Sequence, residues 1–544
     1  MEASKYFKIN SRQVQPTLFS KSEISTWHAS VTPISLPIPL PENVEARSIT
    51  MSQMEKFKPL RESVKPMIEL SIESRLAELE KRIPENHLCR MVKEVVFFLD
   101  TSQIESRYSF EGQRSYHPKL MLSLFFYGYA TGVRSSRQLE NKCISDDYYK
   151  FLMQYYTPDY RTISDFRKDN IDAINSYFVS ILRIFEKLGY KKVGKIYIDG
   201  TKIKANASSK RTKTAEEFGK WLSLLEEEIS RILKEAESID KEEDEKYKLC
   251  EEENELLKKL SNRTYLKTKI EDALTQISEE DKNKLNLTDP AAHEMKTGGS
   301  KDIGPKYNCQ AASTSQGVIT AGEVVGECND SRQLLPMIEK SESNTEKKVE
   351  EVAADSGYGS YENYEYLEKK EINGYVPDLH FRKYKSGEYQ KEKNRYHSTN
   401  FCYDKYNDRY ICPEGHPLVY WKIRKKTKAR NWNHKVYIGK ECKKCTKRSL
   451  CTKSKRRELM IELREPLLVA MREKLMSEEG ALKYFMRQYI IEPIFGHLKH
   501  NLGYTSFLLR GLDKVNGEFK LMCIGWNIKK MLKLGFTPAM VKNL

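Results

Sequence analysis

The 544-residue chain has little of what a membrane or secreted protein needs. Its longest apolar run, around 120–130, is shorter than a membrane span and contains tyrosine and glycine, so it predicts no transmembrane helix. The polar start MEASKYFKIN lacks the apolar core of a signal peptide. The eleven cysteines, mostly scattered, do not have the pattern of a secreted disulfide framework. These absences favour a cytoplasmic location and no membrane partner.

Acidic residues are nearly missing from one basic segment. Between Trp421 and Arg457 there are sixteen Lys or Arg residues and a single acid, Glu441, while the whole chain has a net charge of +16. Tyr420, Trp432 and Tyr437 lie in or beside this segment. Aromatics interleaved with cations suit base stacking and phosphate contact, so nucleic acid is the expected partner. A solvated lysine-rich face is the alternative.

Glycine and proline are absent from 220–289, where apolar residues recur at three- and four-residue steps. This spacing predicts two or three long helices, folded back near the charged stretch 240–246. The segment 214–287 holds thirteen bases and twenty-one acids, which argues against DNA contact and favours packing or self-association.

Upstream, the spacing is helical from about 61 to 186. The stretch TPDYRTISDFRKDN at 157–170 predicts a capped helix that presents Arg161, Arg167 and Lys168. Such a helix is compatible with a helix-turn-helix DNA reader, or with an ordinary helical bundle. The first sixty residues predict an extended, weakly structured segment without an assigned function.

Two predicted strands end on aspartates. KIYID at 195–199 ends on Asp199, and KKVEEVAAD at 347–355 ends on Asp355. A hairpin is expected between them, with strands YNCQAAST and VITAGEVVG, and strands then alternate with helices as in a mixed α/β sheet. Open sheets place active groups at the carboxyl ends of strands, although most single strand-end aspartates only cap a turn.

A third acidic position is Glu492, which precedes Pro493 in a helical stretch. Because proline is best tolerated in a first turn, a kink or a new helix start is expected here. A helix start would place Glu492 near positive backbone dipole. Lys499, seven residues on, would share its helical face.

These segments together resemble the DDE transposases of bacterial insertion sequences, over about 60–530. The resemblance is carried by YIDGTKIKANAS (197–208), TDPAAHEMKT (288–297), NDSRQLLPMIE (329–339), AADSGYGS (353–360) and IEPIFGHLKHNLGY (491–504). It implies a ribonuclease-H-like catalytic core with Asp199, Asp355 and Glu492 as catalytic residues.

The same resemblance implies two Mg²⁺ or Mn²⁺ ions held by these three carboxylates. Tyr484, Arg487, Glu492 and Lys499 resemble the tyrosine-arginine-glutamate-lysine signature, with one extra residue between Arg487 and Glu492. Tyr484, Arg487 and Lys499 would then support the site by contacting DNA. The implied partners are double-stranded DNA, both element ends and target, and a second copy of the chain in a synaptic homodimer.

The cysteines cluster once, at Cys412, Cys442, Cys445 and Cys451. Cys-x₂-Cys with two further cysteines nearby fits a tetrahedral structural Zn²⁺ site, in a basic segment with too few apolar residues for a core of its own. Cys402 or His416 could replace Cys412 as the fourth ligand, and reduced free thiols are the rival interpretation.

The expected organisation is an extended segment (1–60), a helical DNA-binding domain (61–190), a catalytic core in three parts (191–213, 291–394, 458–544), a helical insertion (214–290) and a basic cysteine-bearing insertion (395–457). The expected function is a DNA transposase that cleaves and joins strands. The alternatives are a transposase-derived DNA-binding or scaffold protein without activity, and a stand-alone metal-dependent nuclease.

Overall fold

In a computed structural model, the protein is described over residues 71–108, 115–243, 251–279, 282–297, 302–386, 395–425 and 433–544. The expectation for the first sixty residues lies outside these ranges, as do Trp432 and part of the turn expected near 240–246. In the described ranges, no helix has the length and apolar character to span a membrane.

The N-terminal part is helical, as expected. It contains α1 (Ile72–Arg82), α2 (Leu88–Phe97), α3 (Ser102–Glu105), α4 (Pro118–Thr131), α5 (Ser136–Ser145), α6 (Asp147–Met153), α7 (Tyr160–Asp169) and α8 (Ile171–Lys187). Helix α4 is the buried centre of this region. It starts at Pro118 with a side-chain cap from His117, and it ends where Gly132 takes a φ of 89°.

Helix α7 corrects one expectation about the DNA-reading helix. Asp159 caps it as predicted, by accepting the backbone N–H groups of Arg161 and Thr162. Arg167, however, is only 4% exposed, and its guanidinium donates to the Tyr129 hydroxyl and the Arg134 carbonyl. It is buried because it shares a helical face with the core residues Ile163 and Phe166. Arg167 therefore cannot be a surface reader, whereas Arg161 and Lys168 are exposed.

The first strand is longer than expected. β1 spans Lys195–Lys204, so Asp199 lies in its middle and not at its end. The strand continues because a long antiparallel neighbour pairs with it from Ile196 through Lys204. Backbone bonds with Thr505 and Phe507 then fix its last residue.

The insertion after β1 contains two long helices. They are α9 (Ala215–Glu243) and α10 (Glu251–Glu279), and the short antiparallel strands β2 (Thr212–Lys213) and β3 (Leu285–Asn286) close their base. Near this base the helices pack through a small separate core around Phe218, Leu225 and Ile270.

The main sheet is mixed, with helices against it. It continues with β4 (His293–Lys296), β5 (Ile303–Thr314), β6 (Ile319–Val325), α11 (Leu334–Thr345), β7 (Glu351–Ala354), α12 (Tyr361–Lys369), β8 (Asn373–Tyr375) and α13 (Phe381–Lys385). The order is β4-β5-β1-β7-β8, with β6 also paired to β5. β7 and β8 run parallel to β1, while β5 and β6 form the expected antiparallel hairpin.

The cysteine-bearing segment forms a separate antiparallel sheet. It contains β9 (Cys402–Asp404), β10 (Arg409–Ile411), β11 (Pro417–Arg424), β12 (His434–Gly439), α14 (Arg448–Cys451) and β13 (Glu458–Glu462), in the strand order β13-β12-β11-β10-β9. Phe401, Leu418, Tyr437 and Leu459 form a small core beneath it. The expectation that this segment has no core of its own is therefore wrong, and β13 lies past the boundary expected at Arg457.

The C-terminal part returns to the main sheet. It contains α15 (Glu465–Met476), α16 (Glu478–Phe485), α17 (Arg487–Ile490), α18 (Glu492–Gly496), a π-helical turn (His497–Asn501), α19 (Leu512–Lys533) and α20 (Pro538–Lys542). Helix α19 packs against α4, α8 and β6, so it joins the N-terminal helices to the sheet.

Glu518 on α19 is the charged residue at this junction. It is fully buried, accepts the backbone N–H groups of Leu508 and Leu509, and pairs with Arg134 at 3.1 Å. Burial raises the pKa of Glu518, while the two N–H groups and the nearby guanidinium groups oppose that rise. The pair thus links the N-terminal helices to the segment that follows the π-helical turn.

We expect Glu518→Ala to lower the free energy of unfolding by about 3–5 kcal/mol, because it leaves the largely buried Arg134 without its carboxylate partner. Urea denaturation followed by circular dichroism measures the loss. Glu186→Ala, which removes a solvent-exposed partner of Lys347, is the control and should leave the midpoint unchanged. Equal midpoints for the two variants would contradict the structural role of Glu518.

Candidate active site

Strand register brings the two aspartates together. β1 and β7 are parallel neighbours, and Ile198 lies opposite Ala354. Asp199 is the next residue of β1 and Asp355 is the first residue after β7, so the two residues lie side by side on neighbouring strands. Asp199 reaches this position from mid-strand, and Asp355 from the carboxyl end of β7.

Asp199 is held in a largely buried position. Its side chain is 15% exposed, and one oxygen accepts the Gly200 backbone N–H at 3.0 Å. Burial raises the pKa of Asp199 to about 7, Arg487 opposes the rise, and the charges of Asp355 and Glu492 add to it. Asp355 and Glu492 are therefore close enough to disfavour the ionisation of Asp199, which a bound cation would relieve.

Asp355 begins a tight turn of 3₁₀ helix over Ser356–Tyr358. Its carboxylate accepts the Gly357 backbone N–H at 2.7 Å, which fixes the side chain just beyond β7. The same residue thus caps a turn and lies beside Asp199. A strand-end aspartate can therefore cap a turn and also belong to an active site.

Glu492 is the first residue of α18, and Pro493 follows it in the first turn. This is the helix start that the proline predicts. The Glu492 side chain is 45% exposed, so it is the most open of the three carboxylates. The chain then widens into the π-helical turn, a rare geometry that is frequent near functional sites.

Arg487 joins two of the carboxylates. Its guanidinium lies 3.3 Å from Asp199 Oδ2 and donates to Glu492 Oε1 at 2.8 Å, while the side chain is 10% exposed. The half-buried ring of Tyr484 lies 5.8 Å from this guanidinium. Arg487 is therefore the internal counter-ion of the carboxylates, and in this arrangement it does not extend to the surface.

Lys499 points towards the sheet. Its ammonium donates to the Lys202 carbonyl of β1 at 2.9 Å, and burial lowers its pKa while Asp199 and Cys309 oppose that shift. The contact ties the π-helical turn to the strand that carries Asp199. Glu492 and Lys499 thus sit at the two ends of one short helical stretch against β1.

A fourth carboxylate lies beside this group. Asp330, in the turn after β6, accepts the side-chain N–H groups of Asn308 at 2.6 Å and of Gln310 at 2.8 Å. The sequence patterns did not indicate Asp330 as a site residue, although it lies in NDSRQLLPMIE, one of the stretches that carry the family resemblance. Its partners Asn308 and Gln310 lie on β5, about twenty residues earlier in the chain, so no local pattern links them to Asp330.

The four clustered cysteines converge on one small cavity. Cys412, Cys442, Cys445 and Cys451 all line a space of about 20 Å³, which is the room of one water-sized sphere. The backbone N–H of His416 donates to Cys412 Sγ at 3.3 Å. Burial raises the pKa of Cys451, Arg457 opposes the rise, and the other three thiols add to it. His416 itself pairs with Glu441, and Cys402 is exposed on β9.

Neither group is preassembled around a metal. Across the described ranges, no set of three or more His, Cys, Asp or Glu side chains already has metal-holding geometry. The donor types nevertheless fit: hard carboxylate oxygens suit Mg²⁺ or Mn²⁺, and four thiols at a one-atom cavity suit Zn²⁺. In the carboxylate group, Arg487 supplies the positive charge that a divalent cation would otherwise supply.

Comparison with known families identifies two segments. Residues 411–532 match the family model of a transposase DDE domain, and residues 77–169 match that of a transposase domain (DUF772). Both matches are to transposases. Searches of curated proteins and of solved structures found no match.

The two transposase segments cover different parts of the structure. The DDE-domain segment runs from β10 to α19, so it contains the cysteine cluster, Arg487, Glu492 and Lys499. The DUF772 segment covers the N-terminal helices from within α1 to α7. Asp199 and Asp355 lie outside both segments; the β1–β7 register brings these two together, and Arg487 connects Asp199 to Glu492.

Replacing the counter-ion should change cation binding. We expect Arg487→Gln to raise the affinity of the DNA-free protein for Mn²⁺ by about tenfold, because one buried unit charge that competes with the cation is removed. Isothermal titration with Mn²⁺ measures the affinity. Arg161→Gln removes an equal charge from the exposed face of α7 and should have no effect; a lower or unchanged affinity for Arg487→Gln would contradict the counter-ion role.

Proposed function

We propose that this protein is a DNA transposase that cleaves and joins DNA strands with Asp199, Asp355 and Glu492. The observation that carries the proposal is the β1–β7 register, which sets Asp199 beside Asp355 while Arg487 ties Glu492 to Asp199. Both family matches are to transposases, and they support the reaction class independently.

The topology supports a ribonuclease-H-like core. The first three long strands, β1, β5 and β6, form an antiparallel meander, and β7 and β8 add in parallel on the other side of β1. In the proposed assignment, the first catalytic aspartate lies on the first core strand and the second just after the fourth. The glutamate then comes from a later helix, which is the order that the family resemblance implies.

The three carboxylates would hold two Mg²⁺ or Mn²⁺ ions. When bound, such ions activate the attacking hydroxyl and stabilise the leaving oxygen of an in-line phosphoryl displacement. Asp199 and Asp355 hold their oxygens in place through backbone N–H groups, and Glu492 offers the more exposed oxygens. Arg487 must leave Asp199 and Glu492 for this to happen, and its guanidinium is then free to pair with a DNA phosphate.

The antiparallel sheet of β9 to β13, called the basic sheet below, supplies a proposed DNA-binding surface. Tyr420 and Trp421 on β11 are 44% and 40% exposed. Lys422 and Arg456 both lie over the Trp421 ring, at 4.1 and 4.7 Å from its centre. Exposed rings among cations can stack on bases and contact phosphates, and such contacts carry little base information.

The helical insertion supports a proposed homodimer. Leu224 and Leu233 on the acidic helix α9 and Tyr265 on α10 are 64%, 45% and 62% exposed. An acidic surface does not suit DNA, whereas exposed apolar side chains on a long hairpin suit contact with a second copy of the chain.

The triad prediction tests the reaction. We expect Asp199→Asn, Asp355→Asn and Glu492→Gln each to abolish Mg²⁺-dependent cleavage and strand transfer, because each removes one anionic ligand and little volume. Activity is measured on labelled DNA that carries the element's own ends, and binding is measured by fluorescence anisotropy. Binding should persist.

Asp172→Asn, an exposed change on α8, is the matched control and should stay active. Strong residual Mg²⁺-dependent cleavage by any triad variant would show that the site is misplaced. Cleavage without strand transfer by the unmodified protein would instead indicate a stand-alone nuclease.

The zinc prediction tests the cysteine cluster. We expect the purified protein to contain about one equivalent of zinc, which Cys442→Ser combined with Cys445→Ser should release. Without zinc, the small core under the basic sheet is not enough to hold the sheet folded. The affinity for all DNA sequences should therefore fall by a similar factor. Elemental analysis and anisotropy measure the two effects, with Cys402→Ser as control. If the purified protein contained no zinc, the zinc site would be wrong and the four cysteines would be reduced free thiols.

A further inference from the structure

Asp330 faces the same space as the candidate active site. A Cβ atom placed at Gly357 would lie 2.9 Å from Asp355 Oδ1 and 3.4 Å from Asp330 Oδ2. A Cβ atom at Gly200 would lie 3.1 Å from Asp330 Oδ1, on the face of β1 opposite to the Asp199 side chain and the same face as Asn308 and Gln310. The absence of side chains at Gly357 and Gly200 thus leaves room for Asp330 against β1, next to Asp355.

Two buried amides fix the carboxylate of Asp330. Asn308 and Gln310 are 1% and 0% exposed, and both donate to its Oδ1 oxygen. Gln310 is in turn held by the hydroxyl of the buried Tyr358, which donates to the amide oxygen. The network orients Asp330 through Oδ1 and leaves Oδ2 on the side of Asp355.

A purely structural role does not account for this arrangement. Asp330 opens a short 3₁₀ turn, but the side chain that caps that turn belongs to Asn329. Within the described part of the chain, no cation forms an ion pair with Asp330, and neutral amide donors do not cancel its charge. A carboxylate that needed only hydrogen bonds could be replaced by an amide without loss.

We propose that Asp330 is a positioning residue of the divalent-cation site, where it adds a fourth carboxylate beside Asp355. The inference rests on the proposed function, because it takes these carboxylates as the cation site. Asn308 and Gln310 hold Asp330 so that its Oδ2 oxygen supplies negative charge next to Asp355. Residues that surround and orient metal ligands commonly change metal affinity by 10–100-fold when they are replaced.

The test measures cation affinity without DNA and without turnover. Mn²⁺ is titrated into the full-length protein by isothermal calorimetry, and the thermal midpoint of the cation-free protein is recorded alongside. Asp330→Asn should bind Mn²⁺ about 10–100-fold more weakly. Its cation-free midpoint should stay unchanged, because the new amide oxygen can still accept from Asn308 and Gln310. Asp330→Glu restores the charge and should recover part of the affinity.

Three further variants separate the possible failures. Asp172→Asn should bind Mn²⁺ like the unmodified protein, and Asp199→Asn and Asp355→Asn should bind it poorly. If Asp330→Asn binds normally while the latter two do not, the role of Asp330 is overturned and the proposed function stands. If Asp199→Asn and Asp355→Asn also bind normally, the cation site itself is wrong. Equal weakness of Asp330→Asn and Asp330→Glu would show that charge is not what Asp330 contributes.

Discussion

The parallel pairing of β1 with β7 is the constraint on which the candidate site depends. Side chains on neighbouring strands meet only if the register is exact, and a slip of one residue would turn Asp199 to the opposite face of the sheet. Here Ile198 lies opposite Ala354, and both are completely buried, so the hydrophobic core itself holds the register. The position of the two carboxylates is therefore a consequence of core packing.

Charge is the second constraint. Carboxylates that are close together in a largely buried position must be protonated, paired or bound to a cation. The chain itself provides one partner, Arg487, which pairs with Asp199 and Glu492. In the proposed function, Arg487 exchanges these carboxylates for a DNA phosphate. Cation binding and DNA binding would then favour each other, because each removes a competitor of the other.

Sequence patterns predicted the elements around the site better than the contacts within it. The β5–β6 hairpin, the helix start at Pro493 and the turn after β7 follow from local turn and proline chemistry. The full length of β1, the burial of Arg167 and the placement of Arg487 between two carboxylates depend on partners distant in sequence. Asp330 was missed for the same reason, because Asn308 and Gln310 reveal its orientation only once β5 is in place.

The site also shows how the fold tolerates two long insertions. Along the chain, the helical hairpin separates Asp199 from Asp355 and the basic sheet separates Asp355 from Glu492, yet Glu492 is placed by contacts that come after both insertions. Lys499 donates to the Lys202 carbonyl, and backbone bonds join Lys204 to Thr505 and Phe507. These contacts attach the stretch after Glu492 directly to the strand that bears Asp199. Because neither insertion takes part in them, each can vary in length or partner while the three carboxylates keep their positions.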